Sequence, residues 1–234
     1  MAARLTLITG VGRAGQAGES VARHFAEHGD HVLLVSRNAD EVAARANALT
    51  AAGFAATPYA CDLADAADVQ QLADRVTHDH GASLDALVNL AGGFALSGPV
   101  AESTAATWER MARVNLATAY ETTRVFLPHL RSARGAVVYF AAAAALPGGA
   151  VSGMWAYAAA KGAVLTLMRA VAAEERENGV RSNAVAPTAI RTESNLDSMG
   201  DQVRYVERED MARAVWYLCS LDARAVTGQV VRLG

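Results

Sequence analysis

The sequence predicts an α/β fold, a single doubly wound, parallel sheet of about seven strands with helices on both faces. Two observations carry this. Apolar runs of strand length alternate with longer amphipathic stretches from one end of the chain to the other. The short runs are also continuously apolar instead of alternating, as expected for parallel strands buried on both faces. At 234 residues with 52% hydrophobic content, the chain can fill a core on each side of such a sheet.

In order, Leu5–Thr9 reads as a strand and Gly18–His28 as a helix stopped by Gly29. His31–Val35 is a strand, Asp40–Ala52 a helix, and Phe54–Cys61 contains a third strand. Ala66–His80 is helical and Leu84–Leu90 is a fourth strand. Ser103–Leu130 is a long helix, Ala136–Phe140 a fifth strand and Gly153–Asn178 a second long helix. Val180–Val185 is a sixth strand, Glu209–Ser220 a helix and Gln229–Leu233 a last strand. Repeated βα units call for right-handed crossovers. No linker rich in Pro, Gly or Ser interrupts them, so residues 1–234 are expected to form one domain.

The net charge of −3, with no basic block, argues against nucleic acid or an anionic membrane as partner. Cys61 and Cys219 are far apart and lack metal-site spacing, which fits a reducing compartment. The N-terminal run is too short for a signal peptide, and no apolar stretch reaches the ~20 residues of a membrane span. A cytoplasmic location is expected. No metal site is expected either. His24 and His28 share a helix face without a third ligand nearby and read as a solvated face, while His78 and His80 suit the negative end of a helix dipole.

The first chemical signal is Gly10-Val11-Gly12-Arg13-Ala14-Gly15-Gln16-Ala17-Gly18, placed between the first strand and the first helix. Glycines there let the backbone turn tightly and approach a pyrophosphate, and the helix N-terminus supplies free N–H groups and a positive dipole end. Dinucleotide binding follows, with Gly10, Arg13, Gln16, Ala17 and Gly18 as contacts. The second strand ends in Ser36-Arg37-Asn38, without the carboxylate that would bond a ribose 2′-hydroxyl. The Arg37 guanidinium suits a 2′-phosphate, with Arg13 beside it, so NADP is favoured and NAD remains possible.

The second signal is Tyr157 and Lys161. A spacing of four places both on one helical face. A phenol with a pKa of about 10 is a poor base at neutral pH, and a nearby ammonium should draw that value down. The phenol can then exchange a proton with a carbonyl or alcohol oxygen while hydride moves to or from nicotinamide.

Taken together the motifs resemble the short-chain dehydrogenase/reductase family over almost the whole chain, which implies a Rossmann fold. Thr9-Gly10 looks like the family's cofactor turn, and Cys61-Asp62-Leu63 like the segment flanking the adenine, which assigns Asp62 and Leu63. Asn89-Leu90-Ala91-Gly92 is similar to its NNAG segment, adding Asn89, Ala91 and Gly92 to the cofactor contacts. Asn115 falls where the family places a helix asparagine that helps hold an active-site water. Tyr157 and Lys161 match its catalytic pair, Lys161 also holding the nicotinamide ribose. Pro187-Thr188-Ala189-Ile190-Arg191-Thr192 is similar to the stretch at the nicotinamide end, assigning Pro187, Ile190 and Thr192, and Thr227-Gly228-Gln229 resembles the segment before the last strand.

Two features depart from the family. The glycine loop is about two residues longer than usual, with Gln16 at the place of the middle glycine. The serine that normally follows the fifth strand is replaced in Ala141–Ala145, with Ala142 or a neighbour in its place. A missing oxyanion donor typically lowers the rate by about 10²–10³. The serine-less pattern resembles dihydropteridine reductases, through Ala91-Gly92-Gly93-Phe94, Ala143–Leu146 and Gly153-Met154, although those enzymes carry the ribose-binding acid that Arg37 replaces. Alternatively Ser152, Ser97 or Thr188 substitutes for the hydroxyl. The implied activity is hydride transfer between NADP(H) and a small carbonyl, alcohol or activated C=N/C=C compound. The other reading is a catalytically impaired dinucleotide-binding protein, a sensor or assembly partner. Trp155 is expected at the cleft, and the short segment Glu193–Val206 is expected to leave that cleft rather open. The family resemblance implies a homodimer or homotetramer formed through the two long helices.

Overall fold

The computed structural model describes residues 3–234; residues 1 and 2, which begin the expected domain, lie outside the described residues. The first half of the chain runs β1 (Leu5–Thr9), α1 (Ala17–Glu27), β2 (His31–Ser36), α2 (Ala39–Ala51), β3 (Ala56–Ala60), α3 (Ala66–His80) and β4 (Ala86–Asn89). The second half runs α4 (Ala105–Ala112), α5 (Thr118–Ala133), β5 (Ala136–Phe140), α6 (Trp155–Glu174), β6 (Arg181–Pro187), β7 (Ala189–Ile190), α7 (Glu193–Met199), β8 (Tyr205–Val206), α8 (Arg208–Cys219) and β9 (Val230–Leu233).

Seven strands pair in the order β3-β2-β1-β4-β5-β6-β9, every pair parallel. Strand order reverses between β1 and β4, and a ligand crevice opens outside the carboxyl ends of strands at such a switch point. Alternate side chains of one strand enter opposite cores: Leu7 of β1 packs with α3, α5 and α6, while Ile8 packs with α1, α2 and α8. All five residues of β5 are buried. That double burial is why the strands read as unbroken apolar runs. Among the described residues no helix is long and apolar enough to cross a membrane.

Three expected elements need correction. The long helix Ser103–Leu130 begins at Ala105, capped by the Thr104 hydroxyl, and carries a π turn over Arg113–Ala117 between α4 and α5. The amide of Asn115 donates to the Met111 carbonyl, 3.1 Å away, and so competes with the backbone ladder there. The second long helix spans only Trp155–Glu174, and the sixth strand continues through Val185 to Pro187. The short segment Glu193–Val206 contains α7, and β8 at its end pairs with β7. On α1, His28 is exposed and His24 half-buried; their rings lie 4.3 Å apart, and His28 tilts against Trp216 of α8 at 4.2 Å.

Candidate active site

Side chains cap α2, α3 and α4: Asn38, Asp65 and Thr104 accept from the first backbone N–H groups. The helix α1 differs, since Gln16 makes no such bond. Its open N-terminus, with Ala17 and Gly18, faces a cleft of about 810 Å³ that also takes in Gly10, Arg13, Ser36 and Arg37. Gly10 has φ 79°, and a Cβ there would lie 2.9 Å from the backbone of Ala91, so only glycine lets the β1 loop rest on the end of β4. Thr9 adds to that junction, its hydroxyl accepting from the N–H groups of Leu90 and Ala91 at 3.0 Å each. Open helix end, close glycine approach and cleft fit a dinucleotide pyrophosphate.

The lengthened loop is pinned by a pair that motif reading missed. Gly15 N–H donates to Glu19 Oε2 at 2.7 Å, and Arg45 of α2 holds Glu19 Oε1 at 2.6 Å. An acidic residue in the first helical turn was the available signal, but its partner lies on another helix. Replacing Glu19 by Ala leaves a half-buried guanidinium and a loop N–H unpaired. The expected loss is about 1–2 kcal/mol of stability, or a few degrees in Tm. Thermal unfolding indistinguishable from that of the parent protein would count against the clasp.

At the adenosine end Arg13 and Arg37 are both exposed, with Ser36 between loop and strand. A second missed residue, Glu41 of α2, enters here: a Cβ on Gly12 would meet Glu41 Oε2 at 2.7 Å and Ser36 Oγ at 2.9 Å. The cleft thus carries both a guanidinium and a carboxylate where the sequence suggested only the former. Asp62 and Leu63 also line the cleft. Asp62 also pairs with Arg113 at 2.8 Å, tying the β3 end to the π turn. Cys61, just before it, is buried among apolar side chains, and that burial, with Asp68 nearby, pushes its thiol up to about 12, well away from reactivity.

Asn89 turns away from the cleft. Its amide donates to Thr123 Oγ1 at 3.0 Å beneath the sheet, so it braces β4 against α5, and the cleft-facing residues of its motif are Leu90, Ala91 and Gly92. At the far end, Thr192 lines the cleft while capping α7, and Glu193 N–H donates to Gly15 O at 3.2 Å, joining this segment to the glycine loop. Pro187 ends β6 and Ile190 ends β7, both on the same carboxyl side of the sheet.

Lys161 and Asn115 come together at Gly92. A Cβ on Gly92 would sit 2.7 Å from Asn115 Oδ1 and 3.1 Å from Lys161 Nζ. Asn115 is buried, its amide donating to Gly93 O at 2.9 Å and to Met111 O, and its carbonyl accepting from Gly93 N at 3.2 Å. Both amide protons are therefore committed to backbone. The side chain positions the loop after β4.

Lys161 Nζ donates to Phe140 O at 2.7 Å and lies 6.0 Å from the centre of the Tyr157 ring. Complete burial lowers the lysine pKa to about 8, and burial raises that of Tyr157 to about 12. The expectation that the ammonium depresses the phenol pKa is thus reversed in the protein alone. The cation points at a carbonyl rather than at the hydroxyl, and desolvation outweighs the attraction that remains.

The Ala142 backbone is extended and its side chain buried, with no hydroxyl to offer. None of the three stand-ins fills the gap. Ser97 Oγ donates to Gly153 O at 3.3 Å, Ser152 is exposed on its loop, and Thr188 sits on the surface against Gly234. Trp155 stacks on Trp108 at 5.9 Å, packing α6 against α4 instead of lining the cleft. Phe94 was noted only as part of a motif, yet its ring stands edge-on to Tyr157 at 5.1 Å.

A topology with its switch point at this cleft, joined to a Tyr–Lys pair one helical turn apart, defines a nicotinamide-dependent class of proteins, and comparison with known proteins agrees. Residues 10–233 match the family model described as enoyl-(acyl carrier protein) reductase. The chain is 31% identical over 235 residues to meso-2,3-butanediol dehydrogenase from Serratia marcescens, covering 96% of this chain and 90% of the relative. It is also 31% identical over 237 residues to D-threitol dehydrogenase from Mycolicibacterium smegmatis, covering 96% and 89%. A gluconate 5-dehydrogenase from Burkholderia cenocepacia, solved in complex with NADP and tartrate, superposes with a TM-score of 0.90 at 27% identity, covering 99% of this chain and 94% of that one. The chain belongs to the short-chain dehydrogenase/reductase family, whose members are NAD(P)-dependent oxidoreductases.

Proposed function

We propose that this chain reduces a small carbonyl compound with NADPH, with Tyr157 as the proton donor. The observation that carries the reading is the approach of Lys161 and Asn115 to Gly92, a residue of the cofactor cleft, with the Tyr157 ring centre 6.0 Å from the Lys161 ammonium. Bound nicotinamide supplies the hydride. Tyr157, protonated across neutral pH, delivers its proton to the carbonyl oxygen as negative charge develops there. Lys161, whose ammonium lies beside Gly92 of the cleft, would hold the nicotinamide ribose. Asn115 is a positioning residue that sets Gly92 and Gly93 against the lysine. The partner is a small molecule. The protein acts as a cytoplasmic homodimer or homotetramer, joined through α4, α5 and α6, whose outer surface includes the exposed rings of Trp108 and Tyr120.

The cofactor preference is tested by titrating the protein with NADPH and NADH while following nicotinamide fluorescence. Tight binding of NADPH over NADH is expected. Replacing Arg37 by Ala should weaken NADPH about ten- to a hundredfold, the worth of a charge-assisted bond to the 2′-phosphate. NADH should be little affected, so that the Glu41 carboxylate then favours the free 2′-hydroxyl. An unchanged NADPH-to-NADH ratio in the variant would remove Arg37 from the phosphate site.

A further inference from the structure

We infer that the substrate is an apolar ketone or aldehyde, and not a polyol or sugar acid; the inference rests on the oxidoreductase reading of the Tyr157 site. The two loops that flank Tyr157 are residues 93–100, after β4, and residues 141–154, between β5 and α6. Neither contains an Asp, Glu, Lys, Arg or His. Their polar side chains are Ser97 and Ser152. The former is buried and spends its hydroxyl on Gly153 O, and the latter points out from its loop into solvent.

The same loops present apolar groups to solvent. Phe94 is 54% exposed, Leu96 68% and Val151 48%. They are held together: Ser97 and Gly98 both donate backbone N–H groups to Gly153 O, at 2.8 and 3.1 Å, which clamps one loop to the other. Met154 N–H donates to Val151 O at 3.1 Å, placing the valine at the turn that leads into the helix of Tyr157. The Phe94 ring, edge-on to the Tyr157 ring, makes the transition from rim to reacting hydroxyl. The alanines where the family carries its serine continue the apolar lining inward.

On the third side, Arg191 pairs with Glu207 at 2.9 Å and lies over the Tyr205 ring, while the exposed Glu193 side chain lies against Gly15. The α7 helix ends in an exposed methionine, Met199.

A polyhydroxylated substrate must exchange its water hydrogen bonds for protein ones, and each bond left unmade is costly. These loops offer none beyond Tyr157. An alkyl or aryl substituent instead gains by covering Phe94, Leu96 and Val151. In the reaction hydride reaches the carbonyl carbon from NADPH and the proton reaches oxygen from Tyr157, giving a secondary or primary alcohol and NADP⁺. One polar atom is thus satisfied by the one O–H present.

The test is a rate comparison with NADPH across butan-2-one, hexan-2-one and octan-2-one, set beside 5-keto-gluconate and dihydroxyacetone. We expect kcat/KM to rise by about fourfold per methylene while the growing chain is being covered. The octanone-to-butanone ratio should fall in Leu96→Ser, a change at an exposed position that the fold tolerates. A preference for the keto-acid or the triose, with no gain along the ketones, overturns the inference while leaving the oxidoreductase reading intact. If no carbonyl turns over, that reading fails. Ligand-observed NMR with the protein and NADP⁺ then decides the apolar assignment separately: binding of octan-2-one over gluconate supports it, and the absence of such binding overturns it.

Discussion

Tyr157→Phe is expected to lower kcat by about a thousandfold while NADPH still binds. The substitution keeps the ring that packs edge-on against Phe94 and against the α4–α6 cluster, so the loop, the helix and the cofactor cleft stay as they are. What disappears is one O–H, at a place with no alternative. Ala142 carries no hydroxyl, Ser97 is bonded to Gly153, and the Lys161 ammonium faces Phe140. General acid catalysis contributes about 10²–10⁴, and the expected loss lies in the middle of that range. The direction of the phenol shift adds a second expectation. Because burial pushes Tyr157 up to about 12, the phenol is the protonated acid throughout the neutral range, and carbonyl reduction does not require its deprotonation. Alcohol oxidation does, and should accelerate steadily as pH rises from 7 to 10 in the parent protein. Steady-state rates in both directions, together with NADPH titration of the variant, check both points. A variant keeping more than about a tenth of the parent kcat would show that Tyr157 is not the acid.

Much of this site was legible because its parts are local in sequence. The glycine loop announces itself by position between a strand and a helix, and the spacing of Tyr157 and Lys161 guarantees a shared helical face. The parallel sheet followed from unbroken apolar strands, and its order β3-β2-β1-β4-β5-β6-β9 puts those motifs at one switch point. What stayed hidden depends on contacts distant in the chain. Glu19 and Arg45 are 26 positions apart, and nothing local pairs them. Glu41 reaches the adenosine end only because α2 starts directly beside the glycine loop. The π turn was invisible because Arg113–Ala117 consists of residues compatible with an ordinary helix, while the side-chain bonds that accompany it, Asn115 to Met111 and Gly93 and Thr118 to Val114, form only in the fold. The sign of the Tyr157 shift was misjudged for a related reason. Spacing shows that a cation is near, but not that both groups are buried or that a carbonyl holds the ammonium.

Lys161→Met is expected to abolish useful turnover and, at the same time, to make the protein more stable at pH 7. The lysine is 5% exposed and its ammonium bonds one carbonyl, that of Phe140, with no carboxylate beside it. Burial takes its pKa from 10.5 to about 8, a preference of about 3 kcal/mol for the neutral form in the folded state. Below pH 8 the group is charged in both the folded and the unfolded chain, so the full penalty is present. Between pH 8 and 10.5 the unfolded chain binds more protons than the folded one, and stability rises with pH until the penalty is gone. Methionine has a similar length and no charge to desolvate, although it leaves the Phe140 carbonyl without its donor, a loss of about 1 kcal/mol. The net expectation is a gain of about 2 kcal/mol at pH 7, or about 5 °C in Tm, shrinking towards zero or below by pH 10. Denaturant unfolding of both proteins at pH 7 and pH 10 measures it, and a variant less stable than its parent at pH 7 would mean the ammonium stabilises the fold. The cofactor should bind the variant more weakly, because the donor to the nicotinamide ribose is lost. A buried cation that weakens the fold and yet sits beside Gly92 of the cofactor cleft is intelligible as a group held ready for the ribose.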